Sequence, residues 1–390
     1  MAKQENIADV LVIGAGASGG AFVWSLAEAG FNVVCLEQGG WVPLNAFPTD
    51  QPNSQLQWQK DFHPNPNLRG LAEDYPVNEN ETPISPLMYN AVGGSLIHWG
   101  SHFPRFHPSD FRVKTLDGVA DDWPMTYQEL EPYYDLNDQM KGVSGLRGDP
   151  AYPPKPERPC PPLAIGRGGE AVARGFNKLG WHWWAADNAV SSVKHDGRDP
   201  DYGGYLRSFS SSDIIYWPKA LMKGAQLKTH ARVREIVVDK SGRAEGALYY
   251  DAQGNLQLQK AKVVVMACNG IGTPRLLLNS ISSLFPDGLA NSSGLVGKNL
   301  MFHPYAIITG IFDKSLNGYM GPMGSTIISQ QFYETDLSRG FVRGYAFQGV
   351  RSGGPVQTAL GGIGGQRIPW GTDHRRVFEE RFARTMSLAA

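Results

Sequence analysis

Cysteine is scarce: Cys35, Cys160 and Cys268 are the three in 390 residues. No pair has metal-ligand or redox spacing, and Cys35 and Cys268 stand in apolar runs. No disulfide framework is implied, buried free thiols are expected, and a reducing compartment is compatible. An excess of charge of one sign is also missing. The 36 basic residues offset 37 acidic ones without a basic block, so nucleic acid is not an expected partner. No run approaches the roughly 20 apolar residues of a membrane helix. The stretch 10–26 could pass for a secretory signal, but Glu5 and Asp9 precede it where positive charge belongs. The expected location is cytoplasmic, with export alongside a partner subunit left open. His63, His102, His107, His182, His195, His230 and His374 show no metal spacing and read as surface or loop residues; no metal is expected.

What is plentiful is Gly (46), Pro (27) and Trp (10), which suits a loop-rich α/β protein long enough for two domains. The start is the most informative stretch. Ala8-Asp9-Val10-Leu11-Val12-Ile13 reads as a buried strand and feeds into Gly14-Ala15-Gly16-Ala17-Ser18-Gly19. A helical pattern covers 21–29, and a second apolar run, Val33-Val34-Cys35-Leu36, ends in Glu37. This is the dinucleotide fingerprint in full context. Gly14 permits the turn, Gly16 lets backbone approach a pyrophosphate, Gly19 lets helix pack on strand, and Ser18 lies in the same turn. The helix N-terminus suits a diphosphate. Glu37 stands where a carboxylate accepts hydrogen bonds from an adenosine ribose.

After Glu37, residues 43–86 are irregular, as in a lid or cofactor-covering arm. Thr126 and Glu129 form a capping box for a helix that runs toward Met140 and stops near Gly142. Prolines crowd 150–168 as an extended connector, and 170–179 reads as a helix ended by Gly180. Residues 227–238 alternate as one strand. Residues 244–250 and 256–259 flank a turn at Gly254-Asn255. Val263-Val264-Val265-Met266-Ala267 is a buried parallel strand returning to the first sheet. It leads to a helix with Thr273 at N-cap and Pro274 at N1. Residues 305–312, 325–331 and 341–347 read as strands of a separate antiparallel sheet, and 373–390 as a helical tail.

Four segments together resemble the glucose–methanol–choline (GMC) flavoprotein oxidoreductases. They are 14–37, the turn Val92-Gly93-Gly94-Ser95 with His98-Trp99, Gly270-Ile271-Gly272-Thr273-Pro274-Arg275, and Gly297-Lys298-Asn299-Leu300-Met301-Phe302-His303-Pro304. Within the family the chain looks most like the sugar and sugar-acid dehydrogenases and pyranose oxidase. The resemblance implies FAD in place of NAD, hydride transfer from a CH–OH carbon to flavin N5, and a sugar, sugar acid or polyol as substrate. It implies an α/β fold: a Rossmann-like three-layer FAD domain (1–45, 86–145 and 215–304), a covering loop (46–85), and an incomplete α+β substrate domain built on an antiparallel sheet (146–214 and 305–390). Gly93, Gly94 and Ser95 would lie along the flavin and pyrophosphate, and Val233 would offer backbone contacts to adenine. His98 matches the position that bonds covalently to the flavin 8α-methyl in pyranose-oxidase relatives. The other reading of His98 is a ring that hydrogen-bonds near the flavin or packs beside Trp99. His303 reads as a buried, hydrogen-bonded turn residue.

The sequence departs from the family pattern in three places. The C-terminal His paired with His or Asn is absent, and His374 lacks its context, so no catalytic base is assigned. The chain reads as a truncated product; completion by a partner and an inactive product are the alternatives. The stretch Asp199-Pro200-Asp201-Tyr202-Gly203-Gly204-Tyr205 lacks the cysteines that can hold iron and sulfur in the sugar-dehydrogenase branch, so no iron–sulfur centre is expected and the electron acceptor is left open, an electron-acceptor subunit being one candidate partner. Asn279-Ser280-Ile281-Ser282 replaces a Ser-Gly-Ile-Gly type turn. Two rivals stay open: an NAD-dependent dehydrogenase, and a flavin-binding subunit without catalysis.

Overall fold

Alternation of side chains along Ala8–Ile13 gives strand β1 two apolar faces, and both are used. In the computed structural model, which describes residues 7–43, 46, 56, 62–71, 74–192, 210–321, 324–363 and 366–390, Leu11 and Ile13 enter one core cluster with Ile236, Ala247, Tyr249 and Leu276. Val10 and Val12 enter another with Val23, Ala27, Trp217 and Ala220. A strand covered on both faces belongs at the middle of a three-layer unit.

Two compact units form: the described residues of Met1–Phe47, Trp58–His98 and Ser211–His303, and those of Pro48–Gln57, Trp99–Ser210 and Pro304–Ala390. The first unit contains β1, β2 (Val33–Leu36), β3 (Gln226–Lys228), β4 (Arg232–Val238), β5 (Ala244–Tyr250) and β6 (Leu256–Met266). Their spatial order is β3-β2-β1-β6-β5-β4. The pairs β1–β2, β1–β6 and β2–β3 are parallel; β4–β5 and β5–β6 are antiparallel. The helix Ala17–Glu28 and the turn-and-a-half Trp217–Met222 cover one face of the parallel strands.

The second unit holds an antiparallel sheet of β7 (Ile307–Ile311), β8 (Ser325–Phe332), β9 (Tyr345–Val350) and β10 (Thr385–Ala389). Its order is β8-β9-β10-β7, with the two-residue strand Trp184–Ala185 beside β8. Helix Gly166–Leu179 packs Ala173 and Phe176 against Ile327 of this sheet. Helix Tyr127–Lys141 has the expected capping box from Thr126 and Glu129 and ends at Gly142 in the left-handed conformation.

Several expectations need correction. The 227–238 strand is two strands at opposite edges of one sheet, broken at His230, whose φ is +51°. Conversely, 256–259 and the run from Val263 belong to one eleven-residue strand, β6, which pairs first with β5 and then with β1. The following helix is Asn269–Asn279 and starts before Thr273. The Asn269 side chain accepts from the N–H groups of Ile271 and Gly272, so Asn269 does the capping and Pro274 lies inside the helix. The tail is helical over Thr372–Arg381, but Thr385–Ala389 is a strand held between β9 and β7. Pairing on both sides overrides a helical local pattern. Residues 99–145, expected with the first domain, belong to the second unit. His303 is exposed, because 298–306 has no helix or strand to shelter it. His107 is buried, stacked on Tyr333 at 4.1 Å with its Nδ1 3.1 Å from Glu334 Oε1, and both His102 ring nitrogens are shielded from solvent. His195, 199–205 and much of the 46–85 loop lie outside the described residues.

Candidate functional site

The expected cofactor residues of the first unit converge around two facing glycine turns. Gly16 caps the helix Ala17–Glu28 with no side-chain hydrogen bond and no acid in the first turn. Ala17 and Ser18 are exposed there, which leaves a helix N-terminus with free N–H groups. Gly19 is obligatory: a Cβ at this position would stand 1.9 Å from the Gly14 carbonyl oxygen. The second turn docks directly on the first. Gly93 N–H donates to Ala15 O at 3.0 Å, and a Cβ on Gly94 (φ +57°) would lie 2.9 Å from Gly16 Cα. Trp217 Nε1 and Ser212 Oγ donate to Ala15 O and Gly16 O from behind, at 2.9 and 3.0 Å. The result is a cradle lined by the backbone of both turns, with the Asp213 side chain beside Gly93. It fits a dinucleotide diphosphate.

Glu37 ends β2 with 6% exposure. Its Oε2 accepts from Ala15 N–H at 2.7 Å and its Oε1 from Gly39 N–H at 2.9 Å. Burial raises its pKa to about 7, against the lowering effect of the Ala15, Gly39 and Gln38 N–H bonds. Each oxygen keeps a lone pair for a ribose hydroxyl. Ala231 N–H donates to Glu37 O and His230 N–H to Gly39 O, which brings the start of β4 beside this turn. Val233, two residues further on, is half-buried against the first core cluster.

On the flavin-side turn, Ser95 Oγ accepts from Tyr89 N–H at 3.2 Å. His98 closes the short helix Gly94–His98. Its ring sits 4.4 Å from Phe62 and 4.5 Å from Tyr89, centroid to centroid. Its pKa is lowered to about 3, first by burial and then by the positive charge of Arg69 and by His63. The imidazole is therefore neutral at ordinary pH. Trp99 belongs to the second unit and packs edge-on against Phe103 there.

One cavity of the second unit, of about 350 Å³, holds no proton-transfer pair: its polar side chains are Arg167, Asn317, Thr326 and Arg351, none of them a base at neutral pH. His374 is exposed, with Nδ1 3.0 Å from Pro369 O and the ring stacked on Trp370. The residues that sequence reasoning missed are Arg69, Tyr89 and Phe62 around His98. Phe62 and Arg69 lie in the irregular segment 43–86 and Tyr89 just after it, and no motif marks any of them.

A three-layer α/β unit with two glycine turns at a helix N-terminus has the architecture of the Rossmann-like dinucleotide-binding folds. Residues 161–305 match the family model described as GMC oxidoreductase. The chain is 43% identical to 2-methyl-1,2-propanediol dehydrogenase of Mycolicibacterium austroafricanum, over 98% of this chain and 71% of that one. It is 30% identical to the fructose dehydrogenase large subunit of Gluconobacter japonicus, over 78% of this chain and 60% of that one. A formate oxidase structure from Aspergillus oryzae shares the fold, with a TM-score of 0.62 at 15% identity, covering 100% of this chain and 73% of that one. The chain belongs to the GMC oxidoreductases, FAD-dependent enzymes that oxidise CH–OH groups, and this membership implies FAD as its cofactor.

Proposed function

We propose that this chain holds FAD in the Gly16–Gly94 cradle and oxidises a CH–OH group of a small polyol, sugar or sugar acid. The observation that carries the reading is the pair of glycine turns facing each other at an uncapped helix N-terminus. Bound there, FAD supplies a hydride acceptor for the carbinol carbon. The backbone N–H groups of the first helical turn bind the diphosphate, and the Glu37 carboxylate accepts from the ribose. Val233 borders the adenine.

His98 is the point of covalent attachment to the flavin 8α-methyl in this reading. The nucleophile must be a neutral imidazole, and burial between Phe62 and Tyr89 keeps it so. A cytoplasmic location and a separate electron-acceptor subunit belong to the same reading. Among the described residues no helix is long and apolar enough to cross a membrane, and the fructose dehydrogenase relative is named as a large subunit.

The diol-oxidising relative makes a vicinal diol the first substrate to test. Purified protein is mixed anaerobically with 2-methyl-1,2-propanediol, fructose and gluconate in turn. Bleaching of the flavin bands by one of them is the expected result. Bound FAD that none of them bleaches would favour a flavin-binding subunit without catalysis.

A further inference from the structure

The environment of His98 is organised by a residue that does not touch it through a hydrogen bond. Arg69 is 6% exposed and makes four hydrogen bonds. Its Nε and Nη2 grip Asp74 in a fork, at 2.9 and 2.6 Å. Its Nη1 donates to His63 O at 2.6 Å, and Nη2 also donates to Met88 O at 2.9 Å. The guanidinium carbon lies 4.4 Å from the centre of the Tyr89 ring. Asp74 in turn accepts from Asn90 Nδ2 at 2.9 Å, and the Asn90 side-chain oxygen accepts from Gln38. One guanidinium thus fixes the backbone on either side of the ring cluster: the carbonyl of residue 63, next to Phe62, and that of residue 88, next to Tyr89.

We propose that Arg69, braced by Asp74, is the positioning residue that sets the His98 ring through Tyr89 and Phe62 for attachment to the flavin. The inference rests on the covalent reading of His98. The fork to Asp74 is rigid, and four of the five guanidinium N–H groups are spent on Asp74, His63 O and Met88 O, which suits Arg69 to holding its neighbours in place. A ring held between two aromatic neighbours keeps one orientation, and attack on a single methyl carbon requires one. The Arg69 charge opposes protonation of His98, as burial does, which supports the same role. In the attachment, one C–N bond forms and one C–H and one N–H bond break. The two protons and two electrons released pass to dioxygen, which leaves as hydrogen peroxide.

The test follows attachment of FAD to cofactor-free wild-type protein and to the Arg69→Met, Tyr89→Leu and His98→Ala variants. The readout is the share of flavin that stays with the chain after acid unfolding; reversible FAD affinity is measured separately. The expected result is linkage in wild type and none in His98→Ala. Arg69→Met and Tyr89→Leu should bind FAD with similar affinity but link it at least about tenfold more slowly, as small misplacements at a reacting centre do. Tyr89→Leu keeps the Arg69–Asp74 pair intact and carries the test if Arg69→Met fails to fold. Linkage at the wild-type rate in either folded variant overturns the positioning role alone. A wild type that releases all its flavin overturns the covalent reading and this inference together.

Discussion

Gly16 and Gly94 approach so closely that a methyl group on Gly94 would stand 2.9 Å from the Gly16 Cα. They lie 78 residues apart in sequence, and each turn needs the other to define the cradle. Gly94 is also left-handed, with φ +57°, where a Cβ is strained whatever the space around it. Gly94→Ala should therefore cost about 1–3 kcal/mol of stability and weaken FAD binding more than that strain alone explains. Thermal melts with and without FAD separate the two. Equal stabilisation by FAD in variant and wild type would contradict the role of this contact.

Glu37 gives a pH prediction. Its pKa in the fold is raised to about 7 from 4.5, so its contribution to stability is present below pH 4.5 and lost as pH rises through 7. The melting temperature of cofactor-free protein should carry a falling component over that window. Glu37→Gln removes the titrating group and should flatten it. The same slope in both proteins would show that Glu37 is not the source.

The second unit is braced by a chain of buried charges. Asp138 lies between Arg105 and Arg158, with its side chain 5% exposed and theirs 2%. Arg158 continues to Asp187, which Lys155 approaches at 3.1 Å. Removing the central carboxylate leaves two buried guanidiniums without their shared partner. Asp138→Asn should destabilise the protein by about 3–5 kcal/mol, read from the urea midpoint. A loss well under about 1 kcal/mol would mean that water replaces the carboxylate, as at an exposed pair.

The first unit was legible because its signals are local. An apolar run, three glycines at fixed offsets and a terminal Glu37 all lie within 30 residues, and their geometry is the one the sequence implies. The antiparallel strands at 307–311 and 325–332 could also be read from short apolar runs, whereas the one expected at 341–347 starts only at Tyr345 and runs to Val350. The last strand could not, because Thr385–Ala389 is a strand through its two neighbours rather than its own composition. The Asn269 cap was hidden by a stronger local signal at Thr273-Pro274. Long-range pairing hid the rest. The partners of Asp138 are 33 and 20 residues away, and nothing in an irregular segment marks Arg69 as the hub beside His98.

The most direct measurement is a titration of cofactor-free wild-type protein and its Gly94→Ala variant with FAD, followed by flavin fluorescence. The cradle predicts saturation at one FAD per chain in wild type and a markedly weaker curve in the variant. A wild-type protein that stays colourless and leaves the fluorescence of added FAD unchanged would contradict the account at its root.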